Sequence, residues 1–247
     1  MKKLGCLFIV LIVFAVLLVV GAGIAGGALV KAAVETGGPM FLKVPVTLDD
    51  ASLGILSGSV GMTNLKVGNP PGFTQEPAFT IGTFSVSVKP LTLLSNEIEA
   101  PELVIENMAV LLEMKGGQAN LQVLAAVLKS KEGSSEGPGL RIGRLVLKGV
   151  KVRTSIMGLA KPEIALPDVE LKNPGASRRK DGSAPRAPDI LLDILEEIGR
   201  GIGKTGFNLD FSADALMKAL PAGLGNVPQV PGEAKKKIDE FLKKLPK

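Results

Sequence analysis

From residue 41 to 172 apolar and polar side chains alternate through most of the chain, the pattern of strands with one dry and one wet face. Phe41 to Asp50 reads as a first strand, with Val44, Val46 and Leu48 on alternate positions and Pro45 favouring an edge. Lys31 to Met40 before it reads as a short connector. Leu53 to Gly72 is one long strand punctuated by Gly54, Gly58, Gly61 and Gly68 and stopped by the turn Asn69-Pro70-Pro71-Gly72. Phe79 to Lys89 follows. Its apolar set slips phase at Gly82, from Phe79 and Ile81 to Phe84, Val86 and Val88, as a bulge would make it.

Pro90 to Ser95 is a single helical turn or corner. Glu97 to Met108 and Ala109 to Met114 read as two strands split near Asn107, and Gly116-Gly117 closes that pair. At Asn120 the period changes. Leu121, Leu124, Ala125 and Leu128 make the stripe of an amphipathic helix, capped by Asn120. After the polar loop Ser130 to Gly139, three further strands are expected at Leu140 to Lys148, Val150 to Met157 and Glu163 to Lys172. Asn173 to Pro188 reads as an exposed basic loop, with Arg178, Arg179 and Lys180 either solvated or meeting lipid phosphate. Beyond it Ile190, Leu191, Ile194, Leu195, Ile198 and Ile202 form a helical stripe, and Ser212 caps a short helix to Leu220. The tail Glu233 to Leu245 is a basic amphipathic helix, suited to a membrane surface or to lying against the sheet.

The N-terminal end departs from all of this. Leu4 to Val30 is 27 residues without a charge, preceded by Lys2 and Lys3 and followed by Lys31. As a helix it would be about 40 Å long, enough to cross a ~30 Å hydrocarbon core. Leu7, Phe8, Ile9, Val10, Leu11, Ile12, Val13, Phe14, Leu17 and Leu18 are the anchor candidates, with the N-terminus cytoplasmic by the positive-inside rule. The competing reading is a cleaved signal peptide, for which the apolar part is long. Gly21, Gly23 and Gly26 match a dinucleotide fingerprint but sit inside the apolar run, where Gly23 and Gly27 are better read as a packing face. The chain thus divides into an anchor (1–31), a β-rich domain (41–172), a basic loop (173–188) and a helical region (189–247).

Composition narrows the chemistry. There is no His, Trp or Tyr, and Cys6 is the one cysteine. Triads that need an imidazole are excluded, and no internal disulfide can form. Asp49-Asp50 and Glu196-Glu197 are neighbouring carboxylates, which point different ways along a strand or helix and make no acid/base pair. No enzyme is expected, nor any catalytic, cofactor-binding or metal-ligating set. The net charge of +5 suits an anionic membrane surface, and without aromatic residues among the basic ones nucleic acid is not expected as a partner.

The ordered pieces VPVTLDDASLGILSGSVGMTNLKVGNPPGF, FTIGTFSVSVKPLTLLSNEIEAPELVIENMAVLLE and GGQANLQVLAAVL resemble the AsmA family of bacterial envelope proteins over about residues 1–172. The shared features are Gly58, the run into Asn69, Pro70, Pro71 and Gly72, the corner Leu91 to Leu94, and Asn120-Leu121 opening a helix. The resemblance implies an N-terminal transmembrane helix and a twisted sheet with an apolar face; with the helical stripes read after residue 189, the expected fold is α+β, mostly β, with a mainly antiparallel sheet and C-terminal helices. The resemblance also implies anchoring in the inner membrane, a periplasmic body, and a part in phospholipid transport and outer-membrane biogenesis. One module is too short to span the envelope, so an oligomer, an envelope protein partner or a shuttle would be needed. A second resemblance, to the water-stress domain of late-embryogenesis proteins, would imply a structural sandwich.

The dry face must be covered by helices, by another sheet or by lipid. Val60, Met62, Phe84, Val86 and Val88 are the candidates for a lipid groove, as apolar alternates on central strands that could equally be core. A non-enzymatic lipid binder and a scaffold that holds a protein partner are the two functions this pattern supports.

Overall fold

A computed structural model describes residues 26–54, 57–92, 95–131, 138–156, 159–160, 162–207 and 209–221. The anchor candidates Leu7 to Leu18 and the tail 233–245 lie outside these residues. Among the described residues no helix is long and apolar enough to cross a membrane.

Residues 26–42 form helix α1, where the end of the membrane-spanning run, a connector and the start of a strand were expected; Gly26 and Gly27 are buried against Leu53 and Ala51 of the sheet edge. The helix lies along the sheet edge made by β1 (Val46–Thr47) and β2 (Asp50–Gly54), both of which pair with β3 (Ser59–Val67). Its side chains replace a neighbouring strand there. Lys31 Nζ donates to the Asp49 carbonyl at 3.0 Å, and the Leu48 N–H donates to Glu35 Oε1 at 3.0 Å. Glycines allow so close an approach: a Cβ on Gly27 would lie 2.1 Å from the Ala51 carbonyl oxygen, and one on Gly38 2.8 Å from Val46. Val44, Val46 and Leu48 are all buried, as alternation predicts. The expected strand is nonetheless cut to two residues because Lys43 turns left-handed (φ 58°), Pro45 has no N–H to give and the Leu48 donor goes to α1.

The sheet is mixed. From β3 the order runs through β4 (Phe79–Ser87) to the 19-residue β5 (Glu97–Lys115), both pairings antiparallel. On its other side β5 runs parallel to β7 (Gly139–Lys148) and then to β8 (Lys151–Ile156). The expected split at Asn107 is therefore a single left-handed residue (φ 57°) inside one continuous strand whose register does not shift. β6 (Gln118–Ala119) turns back on β5 through Gly116-Gly117, while β9 (Leu159–Ala160), β10 (Ile164–Ala165) and β11 (Val169–Lys172) complete the far side. The chain is α+β and mostly sheet.

One transverse line of irregularities crosses four strands. Asn64 (φ 50°) stands opposite Gly82, Gly82 opposite Asn107 (φ 57°), and Asn107 beside Gly149 (φ 61°), which joins β7 to β8. At this line the inward residues step by three in every strand: Met62 to Leu65, Ile81 to Phe84, Ile105 to Met108, Leu147 to Val150. Each pairing keeps its register across the line, so no strand carries the extra residue of the bulge expected at Gly82; because the side chains of all four strands change phase together, one face stays apolar across the break. Gly82 is needed because a Cβ there would sit 3.0 Å from that of Asn107.

The apolar face is covered by α2 (Asn120–Lys129), α3 (Ala187–Gly203) and α4 (Ala213–Ala219), with α1 at the edge, and strand and helix residues form one core. The opposite face is charged. Along the parallel pair Glu97 meets Arg141, Glu102 meets Arg144 at 3.3 Å and Glu106 meets Lys148 at 3.3 Å. These pairs are exposed and add little stability, but they keep that face in water.

Candidate functional site

Between the sheet and the helices is a cavity of about 290 Å³ whose lining carries no polar side chain. Its floor is Leu65 and Val67 of β3, Phe79, Ile81 and Phe84 of β4, Leu103, Ile105 and Met108 of β5, and Leu140 and Ile142 of β7. Its walls are Val34, Gly38 and Leu42 of α1, spaced one turn apart on one helix face, Leu124 and Leu128 of α2, and the Ile190, Leu191, Ile194 and Leu195 face of α3. The pocket is half open rather than sealed, so an apolar guest can enter it from the surface. Its volume approaches the ~300–1,000 Å³ usual for ligand sites.

Of the five groove candidates, Phe84 lines the cavity. Met62 pairs with Phe84 across the strands and is buried; Val88 is buried at the strand end; Val60 pairs with Val86 and both are half-buried. They continue the cavity floor as an apolar patch toward the end of the sheet marked by Gly58. Sequence reasoning missed the lining from β5, β7 and α1. Alternation in Leu103 and Ile105 and in Leu140 and Ile142 was the available signal for the strands. For α1 no signal separated residues 31–42 from a connector.

The turn residues are brought together, though not at the cavity. Gly58 has φ 62°, and a Cβ on it would lie 2.1 Å from the Val88 carbonyl oxygen. In the Asn69 to Gly72 turn the Phe73 N–H donates to Pro70 O at 3.2 Å, and Gly72 has φ 96°. Asn120, fully buried beside the equally buried Leu121, supplies what β4 no longer can, since β4 pairing ends at Val110. Asn120 Oδ1 accepts from the Glu113 N–H at 2.9 Å, and Nδ2 donates to Leu111 O and to Asn69 Oδ1, each at 2.7 Å. One side-chain amide thus completes the edge of β5 and ties the turn to α2. These residues hold the fold.

Arg178 and Arg179 are neither solvated nor free for lipid phosphate, contrary to the exposed loop expected. Arg178 Nε bonds Asp193 Oδ1 and its Nη2 bonds Glu196 Oε1, both at 2.7 Å, and Arg179 Nε bonds the buried Asp189 at 2.7 Å. They latch the loop to the first turns of α3. Burial by itself would lower the Arg178 pKa, but hydrogen bonds to Glu196 and Asp193 outweigh it and hold it above the ordinary range. At the end of α1 the Lys43 ammonium is buried without a hydrogen-bond partner among the described residues; that burial, with the charge of Lys131, lowers its pKa.

The neighbouring carboxylates do not converge: Asp49 approaches Lys66 at 3.9 Å, Glu196 holds Arg178 and Glu197 holds Arg200. Among the described residues no group of three or more metal-ligating side chains is assembled. Comparison with protein-family models, with curated proteins and with solved structures gives no match.

Proposed function

We propose that this chain is a membrane-anchored, non-enzymatic envelope protein of AsmA type that binds phospholipid by an acyl chain and hands it over. Its apolar run would lie in the inner membrane and its body in the periplasm. The reading rests on one observation above all, the apolar cavity bounded by α1, α2, α3 and the sheet. A hydrocarbon chain is the ligand class such a lining suits, because each buried methylene contributes about 0.8 kcal/mol without needing a polar partner. The half-buried patch of Val60, Phe84 and Val86 gives the chain a path out of the cavity along the sheet.

The test is native mass spectrometry with lipid extraction on the full chain purified in a mild detergent. Phospholipid retained near one per chain, and lost in Phe84→Asp while the fold persists, is the expected result. A lipid-free, monodisperse chain would defeat the proposal and leave a scaffold that holds a protein partner as the better reading.

A further inference from the structure

The sheet has two distinct ends, and the apolar N-terminal run leaves from one of them. Followed backwards, α1 passes Val46 at Gly38, Leu48 at Glu35, Asp49 at Lys31, Ala51 at Gly27 and Leu53 at Gly26. Its N-terminal direction is therefore toward Leu53. Leu53 pairs with Val60, and Val60 with Val86, so this row carries the open part of the apolar patch. Just beyond it the Val88 N–H donates to Gly58 O, and the Pro90 ring lies 3.1 Å from where a Gly58 Cβ would stand.

At this end the short helical turn Pro90–Thr92 carries Leu91, which is 95% exposed. The turn is held from several sides. The Thr92 N–H and hydroxyl donate to Lys89 O at 2.9 and 2.7 Å, the Glu99 N–H donates to Thr92 Oγ1 at 3.1 Å, and Lys89 and Glu99 form an ion pair. Leu91 is thus fixed outward on an ordered turn. Its surroundings are exposed Ser57, Ser59, Ser87 and Ser95 and the Lys89–Glu99 ion pair, polar groups that suit a headgroup layer. A singly exposed leucine is ordinary on a protein surface; what distinguishes Leu91 is its place, at the end of the sheet toward which α1 runs.

We propose that the Pro90–Thr92 turn is a second membrane contact: Leu91 inserts at the level of the headgroups and first methylenes, on the bilayer that the N-terminal run enters. The contact seats the open end of the Val60, Phe84 and Val86 patch on the lipid surface. This inference rests on the anchored, lipid-binding reading above. It adds a residue, an orientation and a partner: the lipid surface of the chain's own membrane.

The experiment uses the full chain with Cys6→Ser and a single new cysteine, either Leu91→Cys or Met217→Cys. Met217 is 76% exposed on α4, next to Lys218, whose carbonyl accepts from Gln118 at the opposite end of β5, roughly 50 Å along the strand from Glu99 at ~3.3 Å per residue. Each variant is reconstituted into phosphatidylethanolamine/phosphatidylglycerol vesicles and labelled from outside with a membrane-impermeant fluorophore. It is then quenched by aqueous iodide or by lipid bearing a shallow spin label. Position 91 should be quenched by the lipid label and protected from iodide several-fold relative to position 217. Iodide quenching equal at the two positions, in chains that float with the vesicles, overturns this inference and leaves the lipid-binding reading standing. Chains that do not float overturn the anchored reading and this contact with it.

Discussion

Replacing Asn120 by alanine removes a side chain that is fully buried and makes three hydrogen bonds. Two of its partners, the Glu113 N–H and the Leu111 carbonyl, belong to the stretch of β5 beyond the reach of β4, and neither gains a substitute when the amide goes. A buried backbone group left unpaired costs ~1–3 kcal/mol, and Asn69, half-buried, can turn to water instead. Asn120→Ala should therefore lose about 2–5 kcal/mol, a large part of the ~5–15 kcal/mol typical of a domain. For a chain of this size that lowers the melting temperature by roughly 5–15 °C. Asn120→Asp should be no better, because its second oxygen would face the Leu111 and Asn69 oxygens. Asn69→Ala should cost only ~0.5–1.5 kcal/mol, the ordinary net worth of one hydrogen bond. With no Trp or Tyr to report by fluorescence, the assay is far-UV circular dichroism during thermal and urea unfolding in a mild detergent. An Asn120→Ala loss below 1 kcal/mol, or an Asn69→Ala loss as large as that of Asn120→Ala, would refute the strand-edge role.

Two further outcomes can be read in the same assay. Arg178→Ala leaves Asp193 and Glu196 without their cation in a site where the arginine side chain is 10% exposed, and should cost about 3–5 kcal/mol. Arg178→Lys should recover only part of that, because two different guanidinium nitrogens serve the two carboxylates. Lys43→Met removes an ammonium whose pKa is lowered from its ordinary 10.5. A depressed lysine binds its proton more weakly folded than unfolded, so the folded state is penalised below the folded pKa and the penalty fades as pH rises to the unfolded value. The variant should melt higher than the parent at pH 7, and the difference should shrink toward pH 10.5; a difference constant with pH would count against the buried charge as its cause.

Legibility of the fold followed the reach of each physical signal. The slip at Gly82 was visible because the apolar residues on both sides of it, Ile81 and Phe84, are large and unambiguous. Its continuation through Asn64, Asn107 and Gly149 depends on register between strands, which no single segment carries. Alternation located β5 but suggested two strands, since a left-handed residue and a break interrupt the period alike. The helix at residues 31–42 was missed because its structure comes from packing on β1 and β2, through glycines that ordinarily argue against helix. The latch at Arg178 and Arg179 was hidden for a related reason: charge runs read as solvated until a partner 10–18 residues away is folded beside them. Of the cavity, Phe84 and the α3 face were within reach of pattern reading. The half-open pocket itself is tertiary.

Occupancy of the cavity by an acyl chain can be captured covalently. The full chain is reconstituted with a phospholipid bearing a photoactivatable diazirine in one acyl chain, irradiated, digested and mapped by mass spectrometry. Adducts are expected in the peptides carrying Phe84, Leu103 and Ile105, Leu128, and Ile190 and Leu191, suppressed by excess unlabelled phospholipid. Adducts confined to the N-terminal apolar run and the Pro90–Thr92 turn, with none on those lining peptides, would contradict that occupancy.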